Sequence, residues 1–557
     1  MHKQLIACGG NRSSLFSPLL TSLVLVCVLF SGVFLAAYYT VHAADATSLK
    51  SWYHPAQANT AVLTYKYDSD RTGQNPNETI LNQSNVNSSQ FGLHVSYPVD
   101  GQVYAQPLYV PNLSIGGSTH NVVFVETEND SVYAFDADAR SAIAPLWQAS
   151  FINPSKGITP VSSNDVNCTN IQPVIGITGT PVIDLSSNTL YVVAATKENG
   201  SYFQRLHALN ITTGQEQPGS PVVIQGTVKG TGAGSNNGKV TFDPLQQLQR
   251  PGLLLEGGNV YVAFGSHCDH DPYHGWIMAY NASTLKQVEI YNADPNGTEA
   301  AIWQSGGGLA ATPNGDIFFM TGNGTFDLNN SGGKDAGDTL VKLNSKLKLQ
   351  DYFTPFNESC LEQGDVDLGS GAPLLLPSSN EIVAVGKEGR IYVVSRSNMG
   401  KFVSIQNPCN NQNQTNIDKV LQEFPPQTIV GGEYGTPVYW NGTTGQYVFM
   451  GGANDHVKAY QITNGLLSSS PTSQTPESFG FSGANPVVSS DGKVANSGIL
   501  WLIDPSHVLR AYAADNISHE LFSNQLFGYN VFETPLETNG EVFIGTESHL
   551  QIFGLLS

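Results

Sequence analysis

The sequence predicts an all-β fold closed into a ring, an eight-bladed β-propeller of four-stranded antiparallel blades. Three observations predict it. The chain of 557 residues holds 56 Gly and only 13% charged residues, a turn-rich composition that suits strands better than helices. A two-part β unit recurs eight times in order along it. After the eighth copy the chain ends one strand short, while a spare β run (FGLHVSYPVD, residues 91–100) lies before the first.

Taken in order, the chain begins with a targeting segment over residues 1–44. Lys3 and Arg12 precede a run with no charged residue until Asp45, and VHA ending at Ala43 offers a signal peptidase small residues. The apolar part, about 20 residues, is also long enough to cross a bilayer. The segment therefore reads as a signal peptide or a membrane anchor. In either case the rest of the chain is exported, to the extracellular space or the cell envelope, and meets a membrane only through this segment. Residues 45–90 carry no repeat and are expected to pack across the outside as irregular chain. Residues 91–557 form the propeller.

Each unit opens with a small-Pro-apolar strand, a turn and a β run. Examples are AQPLYVPN, GTPVIDLSSNTLYVV, RPGLLLEGGNVYVAF and ETPLETNGEVFIGT. Each closes with an apolar strand that often ends in Asp or Asn, as in VYAFDA near Asp136, LHALNI near Asn210 and IMAYNA near Asn281. The copies lie about 40 to 75 residues apart, too unevenly for a solenoid but as expected of blades with loops of varying length. A fourth strand follows most copies (PLWQASF, PVVIQG, KQVEIYN, LQDYFTP, HELFSN), and residues 91–100 are expected to complete the eighth blade. The long Gly/Asn/Gln-rich loops at 226–249 and 404–432 should build one face of the disc.

Acidic residues outnumber basic ones 45 to 25, a net charge of −20, which excludes a nucleic-acid partner because phosphate contacts need clustered Lys and Arg. Four cysteines follow the targeting segment, Cys168, Cys268, Cys360 and Cys409. In an exported chain they allow two disulfides in any of three pairings. No CxxC pair, Gly-x-Ser-x-Gly elbow or phosphate loop occurs. The run His267, Cys268, Asp269, His270, Asp271, His274 has transition-metal ligand types, but a polar loop with a disulfide-bonded Cys268 is the reading preferred here.

The most informative stretch is residues 300–344. Trp303 precedes a glycine run, a strand follows, the chain leaves it as TGNG, and Gly337-Asp338 stands before the next strand. An Asn side chain and carboxylates supply oxygen ligands to a hard cation, which can polarise a quinone carbonyl. A carboxylate beside it can take a hydroxyl proton, and an aromatic face offers a stacking surface.

On these motifs, and on the blade pattern VYAFDADARSAIAPLWQ, the chain from residue 91 onward resembles the quinoprotein alcohol and methanol dehydrogenases, which bind pyrroloquinoline quinone (PQQ). The resemblance implies that Trp303 stacks on PQQ and that Lys387, in GKEGRIYVVSR, contacts it. It further implies that Asn323 ligates calcium and that Asp338 is the catalytic base. Asp269 or Asp271 would stand in for the family's calcium-ligating Glu. This sequence departs from the family in several places. His274 replaces an expected Arg, Thr339 follows Gly337-Asp338 where the family has Asn, and no adjacent Cys pair or CxxCH haem motif occurs. Two functions follow as expectations. One is an oxidoreductase using PQQ and calcium on an alcohol or sugar. The other is a non-catalytic propeller that binds a protein partner on one face.

Overall fold

The computed structural model describes residues 60–556; the segment read as a signal peptide or anchor lies outside the described residues, as does the chain up to residue 59. Among the described residues no helix is long and apolar enough to cross a membrane. Eight blade sheets follow one another along the chain, built by antiparallel neighbours, with Gln74–Asn75 and Lys401–Phe402 added in parallel at the edges of two of them. Blade 1 uses Leu108–Ile115, Ser118–Thr127, Ser131–Asp136 and Trp147–Ser150 in that order. Blades 2 to 8 open with Val182–Asp184, Leu254–Glu256, Ala310–Ala311, Leu374–Leu375, Val438–Gly442, Val487–Ser489 and Leu536–Thr538. The expected fourth strands form, and Phe91–Pro98 pairs with His549–Leu555 to complete blade 8. With that pairing the ring has no open seam.

The middle strands read as apolar runs because each blade is covered on both faces. In Asn259–Ser266 the period-two alternation divides one strand between two neighbours. Val260, Val262 and Phe264 pack with Val193 and Leu206 of blade 2, whereas Tyr261 and Ala263 pack with Phe319 and Val341 of blade 4. Trp147 shows how an outer strand is pinned. Its Nε1 donates to the Ile211 carbonyl at 2.9 Å, and its ring covers Gly214, where φ is +68° and a Cβ would stand 2.5 Å from the indole. Glycine is the residue that fits there.

Residues 60–90 correct one expectation. The chain is irregular, but residues 62–78 do not cross the outside; they fill the hub and reach the first strand of every blade. Val62 and Tyr109 exchange backbone hydrogen bonds at 2.8 and 2.9 Å. The amides of Ile183, Ala311, Leu375, Tyr439 and Val488 donate to the carbonyls of Leu63, Ser69, Asp70, Thr72 and Gly73 at 2.8–3.0 Å. Arg71 Nη2 reaches the Leu253 carbonyl at 3.3 Å, and the Glu537 amide donates to Tyr67 Oη at 3.0 Å. The cause is hydrogen-bond accounting. Eight inner strand edges face the axis with unpaired groups, and a polar irregular segment satisfies them where a ninth sheet could not. Lys66, Tyr67 and Arg71 adopt positive φ, which coils the segment tightly enough to stay within the hub. The chain then leaves between blades 7 and 8, where Leu81, Val86 and Phe91 pack against Val487, Trp501 and Ile544.

The cysteines pair as Cys168–Cys268 and Cys360–Cys409. The 404–432 loop supplies blade 5 with its fourth strand, Gln422–Glu423, and contains Cys409. The 226–249 loop forms a hairpin of Thr227–Lys229 with Lys239–Thr241, then pairs Gln247–Leu248 with the blade 3 strand.

Candidate functional site

A cavity of about 370 Å³ lies over the centre of the ring, within the size range of small-molecule sites. Most of its wall comes from the residues just ahead of each blade's first strand. Ile171, Arg250, Trp303, Asp367, Tyr434 and Phe532 hold these positions in blades 2, 3, 4, 5, 6 and 8, and Phe481 does so in blade 7. Loops after the second strands add Lys387, Cys268 and Asp269. The hub is the adjoining layer, because Tyr65 Oη accepts from Asn485 Nδ2 at 3.1 Å and Thr436 Oγ1 at 3.4 Å, residues just beyond Phe481 and Tyr434.

Trp303 is half-buried, and two glycines make its place: a Cβ on Gly265 would stand 2.8 Å from Trp303 Cβ, and one on Gly322 3.4 Å from its Nε1. Lys387 Nζ sits 5.8 Å from the Trp303 ring centroid. It pairs with Asp367 at 2.6 Å and Asp365 at 2.9 Å. Burial alone would lower the Lys387 pKa, yet these two carboxylates carry it above its ordinary value. Burial raises Asp367, which Lys387 draws back towards the ionised form. Tyr434 stacks within a cluster of rings, 5.2 Å from Phe481, 6.1 Å from Phe532 and 6.4 Å from Trp303. Phe481 is 56% exposed, so this aromatic wall reaches the mouth.

Arg250 is the unusual member. Only 5% exposed, it lies 4.9 Å from the Tyr104 ring and 5.0 Å from the Phe532 ring. Its backbone amide donates to Leu248, but among the described residues its guanidinium has no hydrogen bond or ion pair to protein. Five N–H donors thus border the cavity without an acceptor, and burial holds the group below its ordinary pKa.

Beside the cavity the carboxylates crowd. Asn323 donates its amide N–H to Asp367 Oδ1 at 2.8 Å and its side-chain Nδ2 to Glu299 Oε2 at 3.0 Å. Burial first, then Glu362, Asp271, Asp269 and Asp367, push Glu299 up to about 7. The Gly324 amide donates to the Glu362 carboxylate.

The residues singled out from the sequence separate into two groups. Trp303, Lys387 and Asp269 line the cavity, and Asn323 stands behind it. Asp338 does not reach it. Fully buried, Asp338 accepts from the Leu368 amide at 2.8 Å, and burial together with Asp367 raises its pKa well above the carboxylate range. The carboxylates that do line the cavity are Asp269 and Asp367, and Asp367 is the one paired with Lys387. Asp271 is exposed and accepts from Thr298 Oγ1 at 3.1 Å. Among the described residues no three His, Cys, Asp or Glu side chains are grouped to hold a metal ion, so Asn323, Asp269 and Asp271 form no such centre as they stand. Of the His/Cys/Asp run, Cys268 is bonded to Cys168, and His274 is held between Asp294 and the Ala233 carbonyl at 2.9 Å each. Arg250, Asp367, Glu299 and the aromatic wall were not foreseen. The signal that would have found them is positional, since the lead-in to each repeat faces the axis.

The geometry can be set beside known proteins. Neither a protein-family profile nor a curated protein sequence matches the chain. Solved structures do. A europium-containing methanol dehydrogenase superposes with a TM-score of 0.55 at 13% identity, over 89% of this chain and 98% of that one. The quinohemoprotein alcohol dehydrogenase of Comamonas testosteroni gives 0.54 at 13% identity, over 89% of this chain and 80% of that one. A quinohemoprotein alcohol dehydrogenase of Pseudomonas putida gives 0.53 at the same identity and coverage. The chain has the fold of the quinoprotein dehydrogenases. That likeness is one of architecture, and the chemistry has to be argued from the cavity itself.

Proposed function

We propose that the propeller binds a planar, polyanionic aromatic cofactor of the PQQ type in its axial cavity and acts as an oxidoreductase on an alcohol or sugar. The observation that carries this reading is Arg250. A guanidinium that opens onto a cavity with no protein acceptor is available to an anion, and its flat fork suits a carboxylate. Trp303 and the Tyr434 cluster give a flat ring its stacking surface. The donor set therefore fits the organic cofactor. For calcium the fit is incomplete: Asn323 Nδ2 donates to Glu299, which leaves Oδ1 to face a cation, but among the described residues no three His, Cys, Asp or Glu side chains are grouped as a metal site.

A bound quinone would supply the oxidising equivalent. The chain's own part is to bind, orient and move a proton. Arg250 holds an anionic edge, Trp303 fixes the ring plane, and Lys387 offers positive charge beside it. Asp367, ionised against Lys387, is the group placed to accept a substrate hydroxyl proton. Asp338 lies behind Asp367 and fixes the Leu368 backbone, a positioning role.

A melting experiment tests the reading. PQQ should raise the melting temperature of the wild type, measured with and without added calcium. Arg250→Met should weaken PQQ at least tenfold, the loss expected of a charge-assisted hydrogen bond worth about 1.5–3 kcal/mol. Asp367→Asn should keep the PQQ-induced shift but lose dye-linked alcohol oxidation. If PQQ moves no melting temperature under either condition, the cofactor reading falls and a non-catalytic binding propeller remains.

A further inference from the structure

A second cavity of about 460 Å³ lies away from the axis, between the outer parts of blades 3 and 4. Its walls are the Thr227–Lys229 strand, the blade 3 outer strand Gln287–Asn292, and the blade 4 turn that leads into Leu349–Thr354. Val228, Ile290 and Leu328 give it an apolar lining, and Lys229, Lys334 and Lys348 stand at its edge. All three lysines are exposed. Among the described residues Lys229 and Lys334 have no ion-pair partner, and Lys348 pairs only with Glu289, at 3.9 Å.

Three cations around an apolar hollow run against the character of a chain in which acids outnumber bases 45 to 25. Of the three lysines only Lys348 has a carboxylate within ion-pair distance among the described residues, and the other acids near the groove are engaged elsewhere. Asp327 accepts from the amides of Lys334 and Asp335, Asp335 from that of Asn296, and Asp294 is buried against His274. Tyr291, also in the wall, has a hydroxyl with no hydrogen-bond partner in the protein.

We infer that this groove binds an anionic amphiphile, a medium- or long-chain carboxylate whose alkyl chain lies on the apolar lining and whose head group meets the lysines. The volume is that of a small-molecule site, and burial of an alkyl chain contributes about 0.8 kcal/mol per methylene. Exposed lysines around such a lining give the head group charge complementarity without competing for the chain.

Laurate is the probe, titrated calorimetrically into the exported protein. Saturable one-to-one binding is expected, weakened at least tenfold in Lys229→Glu/Lys334→Glu and in Leu328→Glu, with unchanged melting temperatures in the charge-reversed protein. Arg250→Met should bind laurate as the wild type does, which separates this groove from the axial cavity. Dodecyltrimethylammonium, of equal length and opposite charge, should not bind. The inference is overturned by absence of saturable laurate binding, by insensitivity to the lysine reversal, or by equal binding of the cationic amphiphile. Retention on phosphatidylglycerol vesicles without binding of free laurate would assign the lysines to a membrane surface and overturn it as well.

Discussion

The melting temperature of this protein should fall steadily as the pH is raised from 5 to 8. The cause is a set of buried carboxyl groups that the fold keeps protonated. Both oxygens of Glu126 are buried without a hydrogen-bond partner, and burial pushes its pKa up to about 8. Burial likewise raises Asp418 to about 8, and Glu128 and Asp294 to about 7, despite hydrogen bonds from Gly176 and Thr178 to the one and from His274 to the other.

The sign follows from proton counting. Between the unfolded values near 4 and these raised values, the folded state holds protons that the unfolded chain has released. Stability is then complete at low pH and is lost as pH rises through the folded pKa, by about 1.4 kcal/mol per pH unit for each proton so held. Opposing groups act elsewhere or singly. Burial lowers His267 to about 4, one group acting between there and its unfolded 6.5, and lowers Lys66 to about 7, which favours folding only between there and 10.5. Below pH 4, Asp165, Asp184 and Asp351, held down by hydrogen bonds to Lys197, to Ser186 and to Lys401 against the effect of burial, lose their contribution. The optimum should therefore lie between pH 4 and 5. Calorimetric melts across this range check it, and a flat or rising profile would refute the protonated-core account. Glu126→Gln, which keeps the shape of the protonated acid, should shallow the slope.

Arg71→Met should be the most damaging single substitution in the hub. The guanidinium is fully buried and donates to the carbonyls of Leu309 and Tyr65 and to Thr64 Oγ1, each at 2.8 Å, with longer bonds to Asp68 and Leu253. Its removal leaves several buried acceptors unanswered, at a cost of about 1–3 kcal/mol each when no water replaces it. A loss on the order of 4 kcal/mol is expected from the denaturant midpoint at constant m-value. A shift below about 1 kcal/mol would mean that the hub contributes little to holding the blades. Thr64→Val, which removes one of these bonds, should cost far less.

Much of the ring was legible because its signal is local and repeated. The apolar strands and their turns report backbone geometry directly, and the missing eighth outer strand pointed to residues 91–100, where Phe91–Pro98 now pairs with His549–Leu555. The hub was not legible. Residues 62–78 have no periodicity, and what they satisfy lies on eight strands far away in sequence. The cavity was legible in part. Trp303 and Lys387 stood out by residue type beside a strand, and the structure sets them together. Asp338 follows a Gly/Asp-rich loop and Asp367 a short helix, Glu358–Gly364, and the chain carries the one inward to Leu368 and the other out to Lys387. No pattern of residue types encodes that choice. Arg250 and Phe532 were hidden for a related reason, since a guanidinium over a ring is a long-range meeting of blades 3 and 8.

The hub has a bearing on how the chain comes to be assembled. Residues 62–78 and the strand 91–98 precede the blades in sequence, yet their partners are spread through all of them, as far on as His549–Leu555. This segment thus acts as a mandrel that must wait, its polar groups unmet, until blade after blade is wound onto it. Such distant pairings make folding slow and expose strand edges meanwhile. Loss of His549–Leu555 would leave Phe91–Pro98 without its partner and the ring open at blade 8, so the hub would be wound but not closed.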